Sequence, residues 1–220
     1  MRFKVYTILS LLFILLLCPG TVSASGTAGK WVFIGDSYCM TKPAPLLPDL
    51  IADKLRISKS NRITACQSGY GFARKNRTYS AIIQKLKTNR AVTNVLIFGG
   101  IYNDSGNTKS SIEAGFRKTV TLIRKKFPRA KIWYAAGNWH ANWFGRTNRT
   151  AAISYQQKIL ARMPWYQSFC RLYNVTFLKD VQYTLRTYAN DGYFITDGHH
   201  PSTAGKTKLA SAIAAAIRKY

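Results

Sequence analysis

Histidine and acidic side chains are scarce in this chain of 220 residues, which has three histidines against eight aspartates and glutamates in total. Two of the three histidines, His199 and His200, are adjacent in the stretch DGHHPSTAGK near the end of the chain. Asp197 lies three positions before His200, so one of the few carboxylates and one of the few imidazoles share a single loop. This loop is therefore a candidate for part of a catalytic site.

Cysteine is also sparse, and the four cysteines fall to three if Cys18 leaves with the N-terminal segment described below. An odd and widely spaced set, Cys39, Cys66 and Cys170, excludes a disulfide-rich scaffold. We expect buried thiols, with a single bridge between Cys39 and Cys66 as the alternative. The chain also lacks C-x-x-C and H-x-x-x-H spacings, so we predict neither a metal nor a cofactor.

The first 24 residues have the layout of a secretory signal peptide. A basic start precedes the apolar run Val5–Leu17, and the small residues of VSA follow it. The run is short for a membrane span, and no second run approaches membrane length. We expect cleavage after Ala24, which leaves residues 25–220 as one secreted, monomeric domain.

The charge is strongly one-sided, with 33 lysines and arginines and a formal net charge of +25. Such a surface favours anionic partners, and for an exported protein these are an anionic cell-wall polymer or an anionic membrane surface. The alternative is a charge that only keeps the protein in solution. No nucleic-acid-binding module is visible, so we do not predict nucleic acid as a partner.

Apolar, β-rich segments alternate with segments of helical periodicity along the chain. This alternation predicts an α/β fold, a single three-layer αβα domain with a central, mostly parallel five-stranded sheet. The predicted strands are Lys30–Ser37, Asn61–Cys66, Val92–Gly100, Ala130–Gly137 and Asn174–Asp180. The predicted helices are 46–55, 79–87, 112–127, 148–163 and a last helix capped by Ser202.

Four short motifs follow predicted strands or precede the last helix: GDSY at 35–38, CQSGYG at 66–71, GGIYND at 99–104 and DGHH at 197–200. In parallel sheets reactive groups collect in the loops at the carboxyl ends of the strands. A serine in such a turn is accessible to substrate, and a glycine N–H or an asparagine amide can stabilise an oxyanion. The first three motifs taken singly also fit ordinary turns.

The fourth motif gives the serine a base. Asp197 can reach one ring nitrogen of His200, which fixes the tautomer while the other nitrogen takes the serine proton. His199 should then point elsewhere, because neighbours in an extended segment alternate sides.

Together the four motifs resemble those of the SGNH (GDSL-type) hydrolase family, in the same order from residue 35 to residue 202. The resemblance implies a catalytic triad of Ser37, Asp197 and His200, with Ser37, Gly69 and Asn103 as the oxyanion hole. Two departures stand out: Tyr38 replaces the leucine of the family's name, and two residues rather than one separate Gly100 from Asn103.

The resemblance implies a serine hydrolase that cleaves esters through an acyl-enzyme. For an exported, basic member we expect a short acyl ester, most simply O-acetyl, on an extracellular or cell-wall glycan. The alternatives are a lysophospholipase or short-chain lipase, a glycan O-acyltransferase and a non-catalytic wall-binding protein.

Aromatic residues offer candidate substrate contacts. Tyr38 adjoins the nucleophile, while Trp139, Trp143 and Phe144 lie on the loop after the fourth predicted strand and could stack on sugar rings, with His140 nearby. Packing beneath that loop is the alternative role for the tryptophans.

Overall fold

A computed structural model describes residues 29–137, 149–179, 181–185 and 192–220. Its centre is one five-stranded parallel sheet in the order β2-β1-β3-β4-β5. The strands are β1 (Lys30–Gly35), β2 (Arg62–Cys66), β3 (Val92–Phe98), β4 (Lys131–Ala135) and β5 (Thr176–Phe177). β1 and β3 are buried along nearly their whole length, as expected for central parallel strands covered on both faces.

Seven α-helices accompany the sheet in the described part of the chain. They are α1 (Ser37–Met40), α2 (Leu47–Lys54), α3 (Tyr79–Lys85), α4 (Lys109–Lys126), α5 (Arg149–Leu160), α6 (Met163–Leu172) and α7 (Thr203–Arg218). Two short 3₁₀ helices span Lys59–Asn61 and Val181–Tyr183. As predicted, Ser202 caps α7, where its hydroxyl accepts a hydrogen bond from the Gly205 N–H.

The helices form two layers around the sheet. α2 packs against α7, while α4 packs against both α3 and α6. The core between the layers is strongly aromatic, and Trp31, Phe33, Phe98, Phe116 and Trp133 are all almost fully buried. The predicted three-layer α/β domain with a five-stranded parallel sheet is confirmed.

Three elements differ from the prediction. The first strand was predicted to reach Ser37, but it ends at Gly35, and Ser37 begins the short helix α1, which was not predicted. The fifth strand pairs only at Thr176–Phe177, because Val175 still donates its N–H to the carbonyl of Cys170 in the last turn of α6. α6 itself was not predicted. In the structure Pro164 occupies the first turn of α6, where its missing N–H costs nothing.

The three cysteines after Cys18 are free and buried, so the expectation of buried thiols is confirmed and Cys39 and Cys66 are not bridged. The predicted signal peptide, residues 1–24, lies outside the described residues. Among those that are described, no helix is both long enough and apolar enough to cross a bilayer.

The sheet order places a crevice at its centre. β1 and β3 are neighbours, yet the chain leaves β1 towards β2 on one side and leaves β3 towards β4 on the other. Ligands of open α/β sheets bind at the carboxyl ends of strands at such a reversal. The motifs that contain Ser37 and Asn103 follow β1 and β3 and so meet at this point.

Candidate active site

Ser37 begins α1 directly after β1 ends. The preceding residue, Asp36, caps this short helix, and its carboxylate accepts a 3.1 Å hydrogen bond from the Tyr38 N–H. The Thr41 hydroxyl closes the turn by donating to the Ser37 carbonyl at 2.8 Å. The strand and both hydrogen bonds fix the half-buried serine at the edge of the sheet.

The loop before α7 is folded tightly on itself. The Ile195 N–H donates to the His200 carbonyl, and the Gly198 N–H donates to the Ile195 carbonyl, both at 2.9 Å. Gly198 has a φ of 63°, a conformation that glycine adopts without strain. Asp197 Oδ1 accepts the N–H groups of His199 and His200 at 2.8 and 2.9 Å. The backbone of the turn alone therefore orients the carboxylate of Asp197.

Ser37, His200 and Asp197 form one hydrogen-bonded chain. His200 Nε2 lies 2.9 Å from Ser37 Oγ, and His200 Nδ1 lies 2.6 Å from Asp197 Oδ2. Burial alone would raise the pKa of Asp197, but the hydrogen bonds from His200 and His199 hold it below its ordinary value. An ionised Asp197 can only accept, so Nδ1 carries the proton and Nε2 can accept the proton of the serine.

Asn103 follows β3 and turns its side-chain amide towards the loop of Ser37. Its Nδ2 donates to Asp36 Oδ2 at 3.1 Å and to the Tyr70 carbonyl at 2.9 Å. Its Oδ1 accepts from Arg74 at 3.1 Å. Because acceptors flank the nitrogen and a donor faces the oxygen, the hydrogen-bond network fixes the orientation of the amide.

Asp36 is fully buried and receives several donors. Besides Tyr38 and Asn103, the Gly100 N–H donates to its Oδ2 at 2.8 Å. A Cβ atom at Gly99 would collide with the Asp36 carboxyl group, so glycine is needed for this close approach. Burial raises the pKa of Asp36 to about 6, partly offset by these backbone hydrogen bonds.

Gly69 lies in the turn after β2, one residue before the Tyr70 carbonyl that Asn103 contacts. A second aspartate, Asp104, joins this turn to the loop after β3, because it accepts the N–H groups of Phe72 and Ala73 at 2.8 and 2.9 Å. The structure therefore brings the loops of Gly69 and Asn103 together beside Ser37.

His199 lies against the site rather than away from it. Its side chain is buried, its ring lies 4.4 Å from that of His200 between ring centres, and its Nδ1 is 3.3 Å from the Tyr38 hydroxyl. Burial, the largest cause, and the nearby His200 lower the pKa of His199 to about 3. His199 is thus a neutral side chain of the site wall, and the expectation that it points elsewhere is wrong.

Two cavities adjoin Ser37. The smaller, of about 230 Å³, is lined by polar and aromatic side chains, among them Arg74, Asn103, Tyr155 and His199. The other, of about 350 Å³, is lined by Ser68 and His200 together with Met40, Thr41, Lys42 and Ile195. One wall of this second cavity is held by buried Lys206, whose ammonium group donates to the carbonyls of Thr41 and Pro43.

The predicted substrate contacts divide into two groups. Tyr38 is buried and lines the smaller cavity. Trp139, His140, Trp143 and Phe144 lie outside the described residues. Within those residues, no group of three or more histidine, cysteine or acidic side chains could hold a metal ion.

A scan against protein-family models and a search of curated proteins find no match. Solved structures do match. The native aryl esterase of M. smegmatis superposes with a TM-score of 0.65 at 19% identity, over 87% of this chain and 99% of that one. A protein from Slackia heliotrinireducens, provisionally assigned as an SGNH hydrolase, superposes with a TM-score of 0.61 at 18% identity over 86% and 98%. The chain has the SGNH-hydrolase fold.

A carbohydrate acetylesterase from Sinorhizobium meliloti shares this SGNH-hydrolase fold, with a TM-score of 0.60 at 18% identity over 84% of this chain and 97% of that one. Likeness at these identities concerns the fold. The roles of individual side chains in the present chain depend on the geometry of its own site.

The fold also places at the site four residues that were not predicted from the sequence. Arg74, Tyr102, Ser105 and Tyr155 line the smaller cavity with Ser37. Tyr102 lies inside the third motif, so the motif itself gave a signal for it. Arg74 and Tyr155 lie in segments without a motif, and only the tertiary structure brings them to the site.

Proposed function

We propose that this protein is a secreted serine esterase that hydrolyses short acyl esters, chiefly O-acetyl groups, on extracellular or cell-wall glycans. The single observation that carries the proposal is the position of His200, 2.9 Å from Ser37 Oγ and 2.6 Å from the Asp197 carboxylate. This is the arrangement that converts a serine hydroxyl into a nucleophile.

The reaction proceeds in two halves. Ser37 Oγ attacks the ester carbonyl carbon while its proton passes to His200 Nε2. The carbon–oxygen bond to the alcohol then breaks, and His200 returns the proton to the departing alcohol, which leaves an acyl-serine. Water attacks this ester and gives a proton to His200, the bond to Oγ breaks as His200 returns that proton to Oγ, and a carboxylic acid and free Ser37 result. Asp197 stabilises the imidazolium in both halves.

The charge that develops on the carbonyl oxygen needs donors. We assign this role to the N–H groups of Ser37 and Gly69 and to the amide of Asn103. In the free protein both hydrogens of Asn103 Nδ2 have acceptors, Asp36 and Tyr70. An oxyanion must therefore compete with or share one of these bonds, and the negative charge of the transition state favours that exchange.

Three observations support the finer parts of the proposal. Cavities of 230 and 350 Å³ lie at or below the low end of the range, about 300 to 1,000 Å³, typical of pockets for drug-sized ligands, which favours a short acyl group. The N-terminal 24 residues resemble a signal peptide, which supports export. The net charge of +25 suits an anionic wall polymer.

The test is acetate release from acetylated xylan and O-acetylated peptidoglycan by residues 25–220, run beside Ser37→Ala. A series of 4-nitrophenyl esters of rising acyl length accompanies it. We expect release that depends on Ser37 and is fastest for acetyl. A preference for long acyl chains would instead identify a lipid-directed esterase, and transfer of acetyl to an added glycan would identify an acyltransferase. Retained wall binding without turnover of any ester would contradict the enzymatic proposal.

A further inference from the structure

The lining of the smaller cavity beside Ser37 holds one cationic and no acidic side chain among the described residues, and the cation is Arg74. Asp36 and Asp104 are buried behind the wall, where backbone N–H groups occupy their carboxyl oxygens. Among the described lining residues a ligand therefore meets a guanidinium and no carboxylate. Burial raises the pKa of Asp104 to about 6, and the charge of Arg74 helps to hold it down.

Arg74 keeps donors for such a ligand. One N–H of its guanidinium donates to Asn103 Oδ1 at 3.1 Å, and the group forms no ion pair with any carboxylate of the described chain. The guanidinium has several further N–H donors in a rigid, planar arrangement. That arrangement matches the two oxygens of a carboxylate, which it binds through parallel hydrogen bonds.

The contact between Arg74 and Asn103 determines how far a group bound by Arg74 lies from the reacting carbonyl. Asn103 and Ser37 line the same cavity, and Asn103 is the side-chain donor assigned to the oxyanion. A group bound by Arg74 thus lies one side chain away from the reacting carbonyl. With a volume of about 230 Å³, the cavity has room for a small polar substituent.

We propose that Arg74 forms a subsite for a carboxylate carried by the ester substrate, close to the carbonyl that Ser37 attacks. This inference rests on the proposed esterase function and narrows its substrate class to acidic esters. The carboxylate belongs either to the acyl group, as in the half-ester of a dicarboxylic acid, or to the alcohol, as in an acetylated sugar acid.

Matched ester pairs that differ only in charge test the subsite. In the acyl arm, monobenzyl succinate is compared with benzyl succinamate. In the alcohol arm, 3-acetoxybenzoate is compared with 3-acetoxybenzamide. The kcat/KM ratio of acid to amide is measured for the wild type, Arg74→Gln and Lys75→Gln. Lys75 is the exposed neighbour in the same loop and controls for the loss of one charge.

We expect the wild type to prefer the acid in at least one arm by about tenfold to a hundredfold, the value of a charge-assisted hydrogen bond. Arg74→Gln should abolish this ratio, Arg74→Lys should restore part of it, and Lys75→Gln should preserve it. The arm that shows the preference identifies the source of the carboxylate. Because Arg74 also contacts Asn103, Arg74→Gln can slow both members of a pair, and the ratio separates that effect from recognition.

A ratio that is the same in the wild type and Arg74→Gln in both arms overturns the inference while leaving the esterase function intact. If the wild type cleaves no member of either pair, the proposed esterase activity does not extend to these esters. The subsite is then tested by binding alone. Calorimetric titration of 3-acetoxybenzoate and monobenzyl succinate into Ser37→Ala should show binding that is lost in Ser37→Ala/Arg74→Gln. Absent or unchanged binding overturns the subsite.

Discussion

The carboxylate of Asp36 accepts a 3.1 Å hydrogen bond from the side-chain amide of Asn103, 67 residues later in the chain. The residue before the proposed nucleophile thereby fixes the proposed oxyanion donor. The extra residue between Gly100 and Asn103 does not keep the amide from the site, since Asn103 and Ser37 line one cavity. The loops after β1 and β3 act as one unit through this bond.

Asn103→Ala should lower kcat by about a hundredfold to a thousandfold, the usual cost of losing one oxyanion donor. KM should change little, because the donor acts on charge that develops in the transition state. Steady-state kinetics on 4-nitrophenyl acetate measures both constants. Asn107→Ala, a nearby asparagine that does not line the cavity, is the matched control. Equal kcat values for the two variants would exclude Asn103 from the oxyanion hole.

Asp197→Asn should lower kcat by about a thousandfold or more, because an amide no longer holds the proton on His200 Nδ1 or stabilises the imidazolium. The backbone donors of His199 and His200 can still bind the remaining oxygen, so the fold should persist. Circular dichroism checks the fold. Asp49→Asn, which removes an exposed carboxylate 3.9 Å from Arg62, is the control. An Asp197 variant as active as this control would contradict the role.

His200→Ala should lower kcat by at least about a hundredfold, the contribution of a general base. His199→Ala should cost at most about tenfold, because it removes a hydrogen bond with Tyr38 but leaves the proton route intact. Both variants are assayed on one ester at one pH. If His199→Ala is as inactive as His200→Ala, the assignment of His200 as the general base is contradicted.

The stability of the protein should depend on pH through His199. Its pKa falls from 6.5 to about 3 on folding because the ring is buried. A lowered pKa makes this contribution complete above pH 6.5 and diminishes it as pH falls towards 3. Relative to His199→Asn, the wild type should lose about 1.4 kcal/mol of unfolding free energy per pH unit in that window.

Urea unfolding of both proteins at pH 7.5, 6.5, 5.5 and 4.5 gives this difference. Asp36 has the opposite sign, since its raised pKa of about 6 costs stability as pH rises from about 4 to 6, but it is present in both proteins and cancels. Parallel stability curves for the two proteins would show that His199 is not held neutral by the fold.

Much of the architecture could be predicted because local signals agreed with tertiary structure. The apolar runs of β1 and β3 fit strands covered on both faces, and Ser202 precedes α7 as a cap should. α6 escaped prediction, because a proline in the first turn of a helix and a proline after a helix look the same in one sequence.

The surroundings of the site could not be predicted, because they depend on which loops meet. His199 was expected to face away on the assumption of an extended segment. Instead Gly198 has a positive φ, and Asp197 accepts the N–H groups of His199 and His200. Both histidine rings therefore lie beside Tyr38. The placement of Arg74 beside Asn103 likewise joins two loops that are 29 residues apart in sequence.

The most direct test of the account is to trap the acyl-enzyme. A protein of residues 25–220 is mixed with 4-nitrophenyl acetate, quenched in acid within the first turnover, digested and mapped by mass spectrometry, with Ser37→Ala in parallel. We predict one acetyl group on Ser37, formed together with a burst of 4-nitrophenol, and no such burst from Ser37→Ala. An unmodified Ser37 in a protein that still turns over the ester, or equal acetylation in the variant, would contradict it.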